Sequence, residues 1–490
     1  MTIRELRAAL TQHGCDYSAC IEKEEMVRML EHITQSKAEP SAKRQRSAAE
    51  GEAAPLAFST NREEELIRRL VRALPPLDRR LKEPDTALLF ASHSVPAAAA
   101  NQLRVCTFNL LDDVRVSLGH GGVHSVWDVR RINVLRCLLA IDADAYLCQE
   151  LNAKSLAFLQ VTLGHEYALE PFCGRNGGVG VLYRRFPRAD RAVHFTSAGP
   201  AVRRRIPTPP PSKALMGIAL HVPLECHGLL GATPRPFRVV LSATHLTHMD
   251  RGQLQSSNKL GRTFAAHLGR DLLRLPAKHG SCPMILGGDF NTSTDGKRAR
   301  LPQGVPSLYG ELTQPLRRVC DSEDEWEEDE DEVAAGLPRW PPADGDSRPL
   351  AKDLWRLTPV SSREFGGLRR GSTCSSWVVL HGIGGEQGVR AREIREGWAE
   401  GAECTDEGHI DWLLLASGAA SRGTTGEVGW PRLAPIRAVI GTELLVPPLP
   451  PMQPALIGPS VMPPAGKIFP SDHYPVFADL EAVGDLRAMG

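Results

Sequence analysis

MILGGDFNTS, residues 284–293, joins a short apolar run to two glycines and then sets a carboxylate and an amide two residues apart. An apolar run of this length, bounded by glycine and polar residues, reads as a buried strand. Alternation along an extended chain turns Asp289 and Asn291 to one side and Phe290 back into the core. Gly287 and Gly288 are expected to let the backbone turn tightly beside a crowded centre. The stretch therefore predicts a strand that ends in two polar groups facing the same way.

The same construction recurs along the chain. Asn109 closes the apolar run LRVCTFNLL, Glu150 closes DAYLCQEL (144–151), and His245 closes FRVVLSATHL (237–246). Asp411 opens HIDWLLLA (409–416), while Asp472 and His473 open DHYPVFADLEA (472–482). Any one of these alone reads as a cap or turn former. Together they predict strand ends converging on one edge, which then becomes a polar pocket. GGVGVLYRR (177–185) reads as a further strand, and WDVRRINVLRCLLAI (127–141) as a helix with Val129, Ile132, Leu135 and Leu138 on one face. A second helix is expected over 253–274. Strands outnumber helices and short turns separate several of them. That pattern predicts packed sheets with helices outside, an α/β sandwich rather than a doubly wound parallel sheet.

Composition narrows the function. Lys+Arg and Asp+Glu both number 58, so the formal net charge is zero, and the chain does not hold nucleic acid by bulk electrostatics. Any such contact must be local. The eleven cysteines follow no regular spacing, with no CxxC pair and no HExxH, which argues against zinc. No run approaches the length of a membrane span. MTIRELRAAL at the N-terminus is charged and amphipathic and lacks the apolar core of a secretory signal. An intracellular protein of cytoplasm or nucleus, with reduced thiols and no membrane partner, is expected.

Carboxylates and side-chain amides at one edge supply hard oxygen ligands, which suit Mg²⁺ or Mn²⁺. Such a cation beside histidine and aspartate is equipment for phosphoryl chemistry. TFNLL, CQEL, ATHL, GGDFNT, HIDWLLL and FPSDHYPV also occur in the order seen in the endonuclease/exonuclease/phosphatase superfamily, which the chain resembles over roughly residues 103–482. STCSSWVVL (372–380) and FPSDHYPV look most like its nocturnin and deadenylase side. The resemblance implies a four-layered α/β/β/α sandwich of the DNase I type. It implies Glu150 as principal metal ligand, with Asn109 beside it and Asp472 completing the shell. It further implies Asp289 as the group that orients or deprotonates the attacking water and Asn291 as a holder of a phosphate oxygen. His245 would contact the scissile phosphate, and His473, buttressed by Asp411, would stabilise the transition state.

Residues 1–33 carry two short helical patterns around Gly14 and resemble a SAP-like module, a type that binds nucleic acid in some proteins and protein in others. Residues 34–102 read as a linker with one short helix in EEELIRRLVRALPPL (63–77). The catalytic domain is expected over 103–482, interrupted by the Pro-rich RRRIPTPPPSK (203–213) and by an insert over 296–372 that reads as a disordered surface loop. The latter contains DSEDEWEEDEDE (321–332). His120, His124, His248 and His267 fall outside the motifs and read as surface or loop histidines. Trp127 and Arg130 read as helix-start packing and solvation. The expected activity is a Mg²⁺-dependent phosphodiester hydrolase on a nucleic acid or nucleotide, RNA before DNA. A phosphatase on a small phosphorylated molecule and an inactive scaffold of the same fold are the alternatives.

Overall fold

The structure is a computed structural model. It describes residues 65–66, 68–69, 95–112, 127–173, 177–207, 217–229, 236–246, 254–292, 307–314, 349–365, 410–416, 432–440, 471 and 473–483. The SAP-like reading of residues 1–33, the acidic run 321–332, STCSSWVVL and Asp472 lie outside the described residues.

In chain order the elements are β1 (Leu103–Asn109), α1 (Trp127–Ile141), β2 (Ala145–Leu151), α2 (Ala153–Leu163), β3 (Tyr167–Phe172), β4 (Gly178–Arg184), β5 (His194–Ser197), β6 (Val202–Ile206), β7 (Gly217–His227) and β8 (Phe237–His245). There follow α3 (Leu254–Lys278), β9 (Met284–Asp289), α4 (Leu308–Thr313), β10 (Lys352–Asp353), α5 (Leu354–Leu357), β11 (Arg363–Phe365), β12 (Asp411–Ala416), β13 (Arg432–Ile440) and β14 (Val476–Val483). One sheet runs β11-β13-β14-β1-β2-β4-β3; the other runs β10-β12-β9-β8-β7-β5, with β6 also paired to β7.

Alternation along the strands sorts their apolar residues into layers. Leu103, Val105, Ala145 and Leu147 meet Leu220, Leu241, Ile285 and Leu413 between the two sheets. The opposite faces of β1 and β2 offer Cys106, Phe108, Tyr146 and Cys148 to Ile132, Leu135 and Leu138 of α1 and to α2. On the far side Val240, Met284, Leu286 and Trp412 pack on Phe264, Leu268 and Leu272 of α3. Helix, sheet, sheet and helix therefore stack in four layers, as expected. Among the described residues no helix is long and apolar enough to cross a membrane.

Three expectations need correction. RRRIPTPPPSK is not wholly an insert, because Val202–Ile206 forms β6 and pairs along β7. The stretch 296–372 is not wholly a loop: Leu308, Tyr309 and Leu312 of α4 are buried in the outer core, and Leu354 and Trp355 of α5 in the inter-sheet core. These parts carry enough apolar surface to pack. The linker also docks in part, since Leu66 is buried in the α1–α2 core and Arg69 donates to the Val161 carbonyl.

Candidate active site

Strand register brings the motif residues together. In the second sheet His245 of β8 lies opposite Asp289 of β9, and Asp289 lies opposite Asp411 of β12. In the first sheet β1 runs parallel to β2, with Asn109 opposite Gln149. His473 precedes β14, the other neighbour of β1.

Glu150 reaches this rim through an irregularity. Tyr146 and Cys148 face the helices, so strict alternation would have turned Glu150 that way as well. Instead the β2–β4 register shifts between Gln149 and Leu151, and Glu150 takes φ 57°. A bulge of this kind re-aims a side chain next to a site. Asn291, at φ 52°, and Leu111, at φ 60°, share the left-handed conformation, so three of the five described non-glycine residues with positive φ border the pocket. Asn tolerates it; Glu and Leu hold it at a cost the surrounding contacts must offset.

The glycines of the opening stretch do not turn. Both lie inside β9, and neither has a positive φ. A Cβ on Gly287 would fall 2.7 Å from Leu147 Cδ1 and 2.8 Å from Leu413 Cδ2. On Gly288 it would fall 2.0 Å from the Thr244 carbonyl oxygen. Their role is close approach of the facing sheet and the neighbouring strand. Phe290 does return to the core, stacked on Trp412 with ring centroids 4.1 Å apart.

Asn109 stands at the centre. Its Nδ2 donates to Glu150 Oε1 at 3.1 Å and to Asp289 Oδ2 at 3.0 Å, and lies 3.4 Å from His473 Nε2. Its Oδ1 accepts from the Leu111 amide at 2.9 Å. In this orientation Asn109 bridges two carboxylates rather than offering an oxygen to a metal. Glu150 Oε2 accepts from the Asp112 amide at 2.8 Å. Asp289 Oδ1 accepts from the Asn291 amide at 2.8 Å. Asn291 Nδ2 donates to the Leu246 carbonyl at 2.7 Å and lies 3.3 Å from Asp289 Oδ2. His245 Nε2 sits 3.8 Å from Glu150 Oε1 and 3.6 Å from Asp289 Oδ2. Those separations exceed a direct hydrogen bond. His473 Nδ1 lies 2.9 Å from Asp411 Oδ2, and its Nε2 lies 3.7 Å from Asp289 Oδ2.

Seven of the eight predicted site residues thus meet in one buried cluster; Asp472 is the eighth and lies outside the described residues. Glu150, His245 and Asp289 can each bring one ligand atom within 4.8 Å of the others, as can Asp289, Asp411 and His473. Two buried carboxylates facing each other across one neutral amide form a hard-oxygen donor set, which suits a small divalent cation.

The sequence reading missed the groups that hold this arrangement. Arg130 is not solvated but fully buried, because its guanidinium fits two backbone carbonyls. It donates to Leu110 O at 2.8 Å and Leu111 O at 2.7 Å, with Trp127 5.8 Å away as a ring partner. It thereby clamps the strained turn whose amides hold Asn109 and Glu150. Ser471 Oγ donates to Asn109 O at 2.7 Å and accepts from the His473 amide at 3.2 Å, tying the histidine to the end of β1. Ser471 lies within FPSDHYPV itself, whereas Arg130 had no sequence signal beyond its place at the start of a helix.

Among solved structures the chain is similar to a mannosyl-6-phosphatase of Bacteroides thetaiotaomicron, at 15% identity and TM-score 0.40, covering 77% of this chain and 99% of that one. It is also similar to the human nocturnin catalytic domain with bound sulfate, at 14% identity and TM-score 0.39, covering 79% and 97%. D. rerio TDP2 complexed with a single-strand DNA product matches at 14% and TM-score 0.37, covering 78% and 99%. No curated protein matches the sequence. A model of the Endonuclease/Exonuclease/phosphatase family matches residues 120–473, the span that contains six of the seven clustered residues, and the chain belongs to that family.

Proposed function

We propose that the chain is a Mg²⁺-dependent phosphodiester hydrolase acting on a nucleic acid or nucleotide, RNA before DNA. The observation that carries this reading is the row of Asp411, His473 and Asp289, with Glu150 joined to Asp289 through Asn109. Two carboxylates in the pocket have different neighbours, and different neighbours assign different tasks.

Asp411 takes the Nδ1 side of His473, which orients the ring. Nε2 is then the atom directed at the substrate, where it donates to a phosphoryl oxygen as charge develops. Asp289 is held by the Asn291 amide on one oxygen and presents the other to the pocket. It orients a water and accepts its proton as the water oxygen bonds to phosphorus and the opposite ester bond breaks. The departing ester oxygen leaves with a proton from solvent or from His473. Asn291 Nδ2 and His245 Nε2, 3.4 Å apart beside Asp289, would hold a phosphoryl oxygen. A divalent cation held by Glu150, with Asp472 and Asn109 as the further ligands we assign, would neutralise a phosphate oxygen when bound. An amide ligand at Asn109 requires its side chain to turn over from the orientation described above.

A panel of substrates with Mg²⁺ tests the reading: poly(A) RNA, single-stranded DNA, an abasic duplex, NADPH and inositol phosphates, on wild type and His473→Ala together. Hydrolysis of a nucleic acid by the wild type alone is expected. Turnover restricted to inositol phosphates would replace the diesterase reading with a phosphatase.

A further inference from the structure

The rim that carries His245 and Asp289 continues to an arginine outside the site. β6 has the sequence VRRRI and, among the described strands, pairs with β7 alone. Register places Arg205 opposite Ile218, Ile218 opposite His245, and His245 opposite Asp289. With Asp411 they form a single row across the second sheet.

The face is shared as well as the row. Ile218, Ala243 and Ile285 belong to the core between the sheets, whereas Ile206 and Ala219 belong to the helix side. Arg205 therefore stands on the same face as His245 and Asp289, and Arg204 on the other. Two strand spacings, about 10 Å, separate Arg205 from His245 along the rim.

Among the described residues the neighbouring arginines have acidic partners and Arg205 has none. Arg203 lies 3.8 Å from Glu170, and Arg204 lies 3.4 Å from Asp271 of α3. Arg205 is exposed and, among the described residues, has no carboxylate at ion-pair distance. A lone exposed arginine is ordinarily only solvated. Here it ends a row whose other polar members are the reacting groups, in a chain with no net charge to attract a polyanion otherwise.

We propose that Arg205 binds the phosphate adjacent to the scissile one along a polynucleotide strand. The inference rests on the reading of the site as a phosphodiesterase. It makes substrate choice depend on a second phosphate separated from the first by a nucleoside, as in an oligonucleotide, rather than linked directly to it as in a pyrophosphate. Guanidinium suits such a contact because its fork matches two phosphate oxygens.

The test compares wild type, Arg205→Ala, Arg205→Lys and Arg238→Ala, the last removing the same charge from an exposed position near the far end of β8. The readout is the ratio of kcat/KM for a tetranucleotide to that for bis(p-nitrophenyl) phosphate, with Mg²⁺. Arg205→Ala should lower this ratio about tenfold through KM and reduce the salt dependence of oligonucleotide binding by about one unit of slope. Arg205→Lys should recover part of both. An unchanged ratio, or an equal loss in Arg238→Ala, overturns the proposal. If the wild type cleaves neither substrate, the phosphodiesterase reading fails by itself. Fluorescence anisotropy of the labelled oligonucleotide then decides: weaker binding by Arg205→Ala than by Arg238→Ala supports the subsite, and equal or absent binding rejects it.

Discussion

His473 Nδ1 lies 2.9 Å from Asp411 Oδ2, although 61 residues separate them in the chain. Both groups are buried. Asp411 therefore orients a ring whose other nitrogen faces the pocket. Asp411→Asn preserves shape but removes the carboxylate that accepts from the ring. We expect kcat to fall by about 10²- to 10⁴-fold, with KM little changed. Steady-state kinetics beside a circular dichroism spectrum checks this; turnover within a factor of two of wild type would remove the dyad from the mechanism.

Asp289 touches Asn109 and the Asn291 amide and adjoins both histidines. Asp289→Ala should reduce hydrolysis by at least about 10²-fold while leaving the protein folded. The measurement is single-turnover cleavage together with a thermal melt. Undiminished cleavage would reject its role as the group that activates water.

Glu150 and Asp289 face each other across a single amide. A divalent ion that binds only the folded state raises its melting temperature by mass action. Mg²⁺ or Mn²⁺ should raise the melting temperature of the wild type and restore activity lost to EDTA. Glu150→Gln should weaken both responses. Full activity in chelator, or equal thermal shifts in the two proteins, would take the cation out of the site.

Arg130 holds the Leu110 and Leu111 carbonyls on the turn that positions Asn109 and Glu150. Arg130→Met leaves two buried carbonyls short of a donor and should destabilise the protein by about 2–4 kcal/mol. As a positioning residue it should also raise the Mg²⁺ concentration for half-maximal activity and lower kcat more than it raises KM. Arg130→Lys should rescue only part, since an ammonium lacks the planar fork. A lower melting temperature with an unaltered Mg²⁺ requirement would reduce Arg130 to packing.

Asp271 of α3 is buried against His221 of β7, with Nε2 to Oδ2 3.0 Å. Burial alone would raise the carboxyl's pKa, but the His221 ring and Arg204 outweigh it and hold the group below the usual 3.8. A depressed acid stabilises the fold fully above its unfolded value and loses that contribution as pH falls through the folded value. Melting temperature should therefore drop on acidification below about pH 4, and His221→Gln should flatten that part of the curve. Parallel curves for the two proteins would show that the pair does not set acid stability.

The elements with clean periodicity were legible from sequence. α1 spans Trp127–Ile141 as read, and β8, β9, β12 and β14 fall where their apolar runs lie. β6 was hidden in a Pro-rich stretch because three consecutive arginines obscure alternation on an edge strand. β13, with Pro435 and a register shift, shows no regular pattern at all. α4 and α5 are too short for a periodic signal and are buried only because neighbouring layers supply their apolar contacts.

Residue types and their order along the chain were enough to predict packed sheets with helices outside and polar strand ends, while the four-layer type followed from the resemblance of the motifs to a known family. Apolar runs must be buried, and polar residues that end them must lie at an edge. Only the tertiary structure decided where Glu150 points, since a one-residue bulge reverses the side on which a strand presents its next side chain. Folding alone also made Gly287 and Gly288 points of close approach and drew Arg130 inside. Each depends on atoms from strands or turns distant in the chain, and local sequence carries no record of that distance.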